Sequence, residues 1–207
     1  MLKVTYKINN MFSLRKFGDS HLCARSYEYP MLTTIRGALL GSLIQRKGIK
    51  FAEDNFNSIA KVPIYIQIPK NFVINETKLR MLSNNYLTNS NNGSIATTVG
   101  IREYIVMDKL VFYIDDTGLD FLREVLVNID RIGSSDSMVE IESMELVDFM
   151  ENILVEWTED IGFDYKIYEL YDWSDKTKFE NRYIYSNKAS DKNIKRNCYI
   201  KEKVKIA

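Results

Sequence analysis

Apolar and polar residues alternate from Lys3 to Met11, with Val4, Tyr6 and Ile8 set against Lys3, Thr5 and Lys7. A period of two predicts a strand with one buried face. From Thr34 the period lengthens. Ile35, Leu39, Leu40, Leu43 and Ile44 recur at helical spacing, and Gln45 to Gly48 reads as a basic last turn closed by glycine. Val62 to Pro69 is a second strand between two prolines, which suits a short or edge strand because proline lacks the N–H that a central strand donates. Periodicity lapses from Lys70 to Gly100, a stretch with seven Asn and the run NSNNGS. It predicts a mobile insertion with one weak helix around Lys78 to Leu82. Strand character returns over Arg102 to Ile114, with a hairpin near Asp108. Thr117 then caps a helix carrying Leu119, Leu122, Val125, Leu126 and Ile129, which stops at Gly133. SSDSMVEIESMEL follows as a Ser-rich loop and an alternating strand.

This order, β-α-β, insertion, β-α-β, predicts an α+β fold of the ferredoxin-like (RRM-like) kind over residues 1–147, with 70–100 as the insertion. Residues 148–207 read as a β-rich C-terminal appendage. VEWTEDIGFDYKIYELYDW is aromatic and acidic, and NRYIYSNKASDKNIKRNCYIKEKVKI alternates like a terminal hairpin.

Composition narrows the class. The 207 residues are 45% hydrophobic and 27% charged, which suits a globular chain with a sizeable core. No apolar run approaches a membrane span, and Met1 leads directly into a strand without a signal sequence, so a cytoplasmic protein is expected. Cys23 and Cys198 lie far apart and fit reduced thiols, with a single disulfide as the alternative. The zero net charge conceals an asymmetry: residues 1–50 carry +7, 51–139 −3, 140–172 −10 and 173–207 +6. Basic ends around an acidic middle suit a polyanion on one face and a basic protein on another, or simply solvated surfaces.

Candidate chemistry concentrates between Phe12 and Ile44. Arg15, Lys16, Arg25 and Arg36 surround the chain's only histidine, His21, and lead toward a helix opened by Thr33 and Thr34. A helix N-terminus carries unpaired N–H groups and about half a positive charge, so this segment is a candidate phosphate cradle. Tyr29, held extended by Pro30, is the preferred base-stacking aromatic, beside Phe17 and Tyr27. One threonine suffices as a cap. Gly37 and Gly41 share a helix face that would admit a close backbone, either by packing on the sheet, the simpler expectation, or by approach of RNA. Arg131, Gly133, Ser134 and Ser135 form a second candidate phosphate loop, with Gly133 ending the preceding helix. The carboxylates of 140–172 show no metal-binding spacing, so no metal or cofactor is expected. The basic C-terminus, with Lys195, Arg196, Lys201, Lys203 and Lys205, adds nucleic-acid contacts or is a solvated tail.

FSLRKFGDSHLCARSYEYPMLTTIRGALLGSLI resembles the opening of the CRISPR-associated RAMP superfamily, and LREVLVNIDRIGSSDSMVEIESMEL is similar to its helix, Gly-Ser loop and strand. Size and the RIGSSDSMVEI pattern look most like the Cas five family. The resemblance implies a non-catalytic subunit of type I Cascade in antiviral defence. It would bind the 5′ handle of guide RNA, contact a Cas seven-type backbone subunit through a thumb-like insertion, and contact the large subunit. Target DNA would be met only indirectly, through RNA pairing. The alternatives are a metal-independent endoribonuclease processing precursor guide RNA with His21, Lys16 and Tyr27, and a ferredoxin-like adaptor without an RNA role.

Overall fold

The computed structural model describes residues 1–16, 18–20, 22–82, 97–156, 167–182 and 194–205. Strand β1 (Leu2–Ile8) opens the chain, and the two-residue strand β2 (Cys23–Ala24) follows the basic loop. Helix α1 (Leu32–Lys47) leads through the short helices α2 (Ile49–Asp54) and α3 (Phe56–Lys61) into β3 (Ile64–Ile66). The long strands β4 (Val73–Leu82) and β5 (Thr97–Val106) precede β6 (Lys109–Ile114). Helix α4 (Leu122–Val127), β7 (Val139–Leu146), β8 (Phe149–Glu156), β9 (Tyr168–Trp173) and β10 (Ile194–Lys205) follow.

The architecture is mixed α/β. The central sheet has the order β3-β6-β1-β7, and every pairing in it is antiparallel. Alternation along β1 puts Leu2, Val4, Tyr6 and Ile8 into the main core with Ile35, Leu39 and Leu43 of α1 and Val125 and Leu126 of α4. The buried Tyr6 hydroxyl donates to Leu126 O at 2.6 Å, tying strand to helix, and burial pushes that phenol well above its ordinary pKa. Ser42 on α1 donates to Val125 O at 2.8 Å and locks the two helices together. On another surface of β6, Tyr113 packs with Met150 and Ile153 of β8. A second sheet, β8-β10-β9, sends Leu170, Tyr171 and Trp173 of β9 into the main core. These C-terminal strands therefore share the core of the N-terminal part.

Several expectations require correction. Residues 73–82 form no helix. They pair with 97–106 over ten positions of an antiparallel hairpin, whose tip, 83–96, lies outside the described residues. Val73, Ile74, Val99 and Val106 are 47–65% exposed, so neither strand has one buried face to impose alternation on the sequence. Helix α4 spans only Leu122–Val127, with Phe121 and no side-chain cap at its start. Thr117 is held instead by Asp115, whose carboxylate accepts from the Thr117 N–H at 3.0 Å and hydroxyl at 2.8 Å. Gly133 therefore ends no helix. Gly48 does close α1, with φ +88° and its N–H on Ile44 O at 2.9 Å. Helices α2 and α3 had no sequence forecast. Strand β10 is central in its sheet, and the stretch 183–193 of the expected terminal hairpin lies outside the described residues.

Candidate nucleic-acid interface

Helix α1 begins at Leu32, after Met31, with no side-chain cap. Thr33 and Thr34 lie inside its first turn, which corrects the capping role expected of them. Thr33, Gly37 and Gly41 follow at intervals of four and form one stripe along the helix. A Cβ added at Gly37 or Gly41 would meet no atom within 4 Å. The expected packing of this glycine face on the sheet is therefore overturned: the face borders open space. It forms one wall of a cleft of about 660 Å³ that extends along α1 as far as Gln45. Leu14 and the segment after α4, including Asn128, Arg131 and Gly133, supply further lining, and Trp173 and Arg182 contribute from the C-terminal part.

The segment after α4 is held rigidly. Ser13 N–H donates to Ser137 Oγ at 2.9 Å, while Ser134 N–H and Ser137 Oγ donate to Ser13 O, each at 3.2 Å. Gly133 sits at φ +105°, a conformation that disfavours residues with a Cβ, and an added Cβ would lie 3.2 Å from Ser13 O. Only glycine lets the loop lie so close to the chain leaving β1. Ser134 Oγ is engaged with Ser137 Oγ at 3.0 Å, so this hydroxyl serves the loop itself, whereas Ser135 is exposed. The Arg131 side chain is half-exposed at 51%, with Nε 3.7 Å from Asp130.

The first basic loop folds back on itself. Lys16 N–H donates to Arg25 O and Tyr27 N–H to Leu14 O, each at 2.9 Å, and Arg15 bridges Ser26. Asp19 clips the turn: its carboxylate accepts from Arg25 N at 2.9 Å, Nε at 3.1 Å and Nη2 at 2.9 Å. Those bonds from Arg25 hold the Asp19 carboxyl below the usual carboxylate range. Arg15, Lys16 and Arg25 thus form one basic group, beside the cleft rather than in its lining.

Two predicted contacts are buried instead. Arg36 is 5% exposed. Its Nε and Nη2 donate to the Asp172 carboxylate at 2.8 and 3.0 Å, and Nη1 donates to Ile59 O at 2.6 Å and Val62 O at 2.9 Å. It fastens α1 to α3 and β9, so its expected place on a phosphate is corrected. The Tyr29 ring is buried against Tyr27 and edge-on to Tyr168, and its hydroxyl donates to Glu169 O at 3.3 Å, so its expected stacking on a base is corrected too. Of the nuclease candidates, the Lys16 ammonium lies 5.9 Å from the Tyr27 ring centroid, Tyr27 is buried, and His21 lies outside the described residues. Sequence reasoning missed Trp173, Arg182 and Ser137. They enter the neighbourhood through tertiary folding, and no local motif marks them.

Among the described residues, no cluster of His, Cys, Asp or Glu is placed to hold a metal, and no helix is long and apolar enough to cross a membrane. The chain matches no family model. Two solved structures share its fold. One is the crystal structure of a CRISPR protein from Archaeoglobus fulgidus, with TM-score 0.52, 13% identity, and coverage of 100% of this chain and 85% of that one. The other is a chain in the cryo-EM structure of the type III-B Cmr-beta bound to cognate target RNA and AMPPnP, with TM-score 0.52, 10% identity, and coverage of 96% and 86%. The curated CRISPR-associated protein Cas5 of Archaeoglobus fulgidus (strain ATCC 49558 / DSM 4304 / JCM 9628 / NBRC 100126 / VC-16) is 26% identical over 217 residues, spanning 99% of this chain and 93% of the relative. In sequence the chain is thus similar to a CRISPR-associated protein, Cas5, and in fold it is similar to a CRISPR protein.

Proposed function

We propose that this protein is a non-catalytic subunit of a CRISPR effector complex of the Cascade kind, and that it holds the 5′ handle of guide RNA along α1. The observation that carries this reading is the cleft. It brings Thr33, Thr34, Gly37 and Gly41 together with Arg131 and Gly133, two segments nearly a hundred residues apart, around an open floor of glycine. Single-stranded RNA needs such a floor for its backbone, with cations at the margin for its phosphates. The strand order β3-β6-β1-β7 with crossover helices α1 and α4 supports a ferredoxin-like RAMP domain. The neighbour in the RNA-bound Cmr-beta assembly supports the same setting. The hairpin β4–β5, with apolar residues exposed on both strands, serves as the thumb toward a Cas seven-type backbone subunit.

The test is a titration of the purified full chain with labelled repeat RNA in EDTA, scored for retention and for cutting. Retention of intact RNA, weakening with salt and lost in Gly37→Leu, is expected. A discrete cleavage product, or equal binding by Gly37→Leu, would overturn this assignment.

A further inference from the structure

Glu103 of β5 occupies a position where a carboxylate is unfavourable. It lies directly opposite Glu76 of β4, and like charges facing each other across an antiparallel pair are destabilising. Its charge reaches Arg25, whose pKa is raised first by the bond to Asp19 and further by Glu103, yet the guanidinium itself lies on Asp19. Glu103 is half-buried and holds something else. Its Oε2 accepts from the Ser26 N–H at 3.0 Å. Ser26 is 1% exposed, and its Oγ accepts from Leu14 N–H at 2.9 Å and donates to Tyr27 O at 3.0 Å. That serine pairs with Arg15, so it is the inner fastening of the loop that carries Arg15, Lys16 and Arg25. On the backbone side, Glu103 O accepts from Ser13 Oγ at 3.1 Å. Ser13 in turn carries the second loop through Ser134 and Ser137.

We infer that Glu103 is a positioning residue for RNA, fixing the Arg15–Arg25 loop and the Arg131 loop to one point of the hairpin so that a single strand meets both. This rests on the RNA reading above. The ladder between β2 and β5 joins only Cys23 and Ala24, so Ser26 lies past its end and depends on the Glu103 side chain for its bond. A carboxylate accepting from a backbone N–H makes a charge-assisted bond, stronger than a neutral one. Glu103 acts through Ser26 and Ser13 rather than by touching RNA, whose phosphates its charge would repel. The hairpin is thereby a mount for the two cationic loops as well as an arm toward a neighbouring subunit.

The full chain, Glu103→Ala and Glu103→Gln are each titrated with labelled single-stranded repeat RNA in EDTA, at a temperature where all three are folded. Alanine removes the acceptor and should bind about threefold more weakly, the lower end of what one hydrogen bond contributes, although it has also lost a negative charge. Glutamine keeps an oxygen for the Ser26 N–H and removes the charge facing Glu76, so it should rescue binding to the wild-type level or above. Amide exchange at Ser26 should follow the same order, faster in Glu103→Ala and restored in Glu103→Gln. A carboxylate that only repelled RNA would make both variants bind more tightly and to the same extent. One that only stabilised the hairpin would lower the melting temperature of Glu103→Ala and leave its affinity unchanged. Either result overturns the positioning role alone. No RNA retained by wild type overturns the RNA reading and the positioning role with it.

Discussion

Helix α1 has two sides that solve opposite problems. Arg36 and Gly37 are adjacent in sequence and about 100° apart around the axis. The Arg36 side buries a full charge and satisfies it with one carboxylate and two backbone carbonyls. The Gly37 side presents no side chain at two positions, and its backbone faces open space there. One side is closed and overdetermined, so it fixes where the helix lies against α3 and β9. The other is bare, which costs helix stability and leaves room for a ligand. Each glycine sacrifices about 1 kcal/mol of helix propensity relative to alanine. That sacrifice is tolerable because packing on the first side, rather than propensity, holds α1 in place.

The closed side should yield the largest effect on stability. Asp172→Ala leaves the Arg36 guanidinium buried without its carboxylate, and such one-sided breakage costs about 3–5 kcal/mol. Urea denaturation should show an unfolding free energy lower by that amount, read as a lower midpoint at unchanged slope. A shift comparable to an exposed pair, below about 1 kcal/mol, would mean that α1 is not anchored through this contact.

The open side should do the reverse. Gly37→Leu places a side chain in space that no protein atom occupies, so the fold should keep its stability or gain up to about 1 kcal/mol. Affinity for repeat RNA should fall by at least about tenfold, since the inserted side chain fills the wall on which the backbone lies, an effect above about 1.4 kcal/mol. Circular dichroism melting and a binding titration on the same sample separate the two readouts. Loss of both together would show that the glycine face supports packing after all.

The contrast between the sides was only half visible in the sequence. The helical period named Ile35, Leu39, Leu40 and Leu43, and alternation named the inward residues of β1, because each pattern reports a single buried face. Arg36 read as a ligand for phosphate because a lone cation on an apolar helix declares no partner, and Asp172 lies 136 residues away. Gly37 and Gly41 read as packing residues for a related reason: small residues four apart suit a neighbouring backbone of either kind, and only the fold shows that none is there. The β4–β5 hairpin left no period because neighbouring residues share one environment: Val73 and Ile74 are both exposed, and Tyr104 and Ile105 are both buried. The second candidate loop was legible as Arg131 and Gly133, but Ser137, which holds it to Ser13, gave no signal beyond being one serine among several. Trp173 was hidden within an aromatic run, of which Tyr168 and Tyr171 also pack in or against the core.

Arg131 offers a finer probe of the open side. Its side chain is half-exposed, and Asp130 lies 3.7 Å away, so part of its charge is already answered. Arg131→Ala should weaken RNA binding several-fold and reduce the slope of log affinity against log salt by roughly 0.7, one phosphate contact on a single strand. Thermal stability should stay within about 0.5 kcal/mol, because the change falls on an exposed position. An unchanged slope would exclude a phosphate at this arginine.

The smallest effect belongs to the basic loop beside the cleft, where Asp19 restrains Arg25. The carboxylate accepts three N–H bonds from that residue, and they hold its pKa below the usual range. A carboxyl depressed by folding supports the folded loop at every pH above its unfolded value, about 3.9, and that support is lost as pH falls through the lower folded value. The clip is therefore intact at neutral pH and opens only in acid, which the chemical shift of the Arg25 side-chain N–H should follow. Asp19→Asn removes the negative charge at all pH values and leaves Arg25 unanswered. If this loop meets the RNA chain beyond the cleft, affinity should rise by about twofold and the salt slope should steepen by no more than roughly 0.7. A fall in affinity would assign Asp19 the opposite role, with the clip shaping the loop for RNA at the expense of Arg25's charge. The open side of α1 would then depend on a preformed neighbour as well as on its own bare backbone.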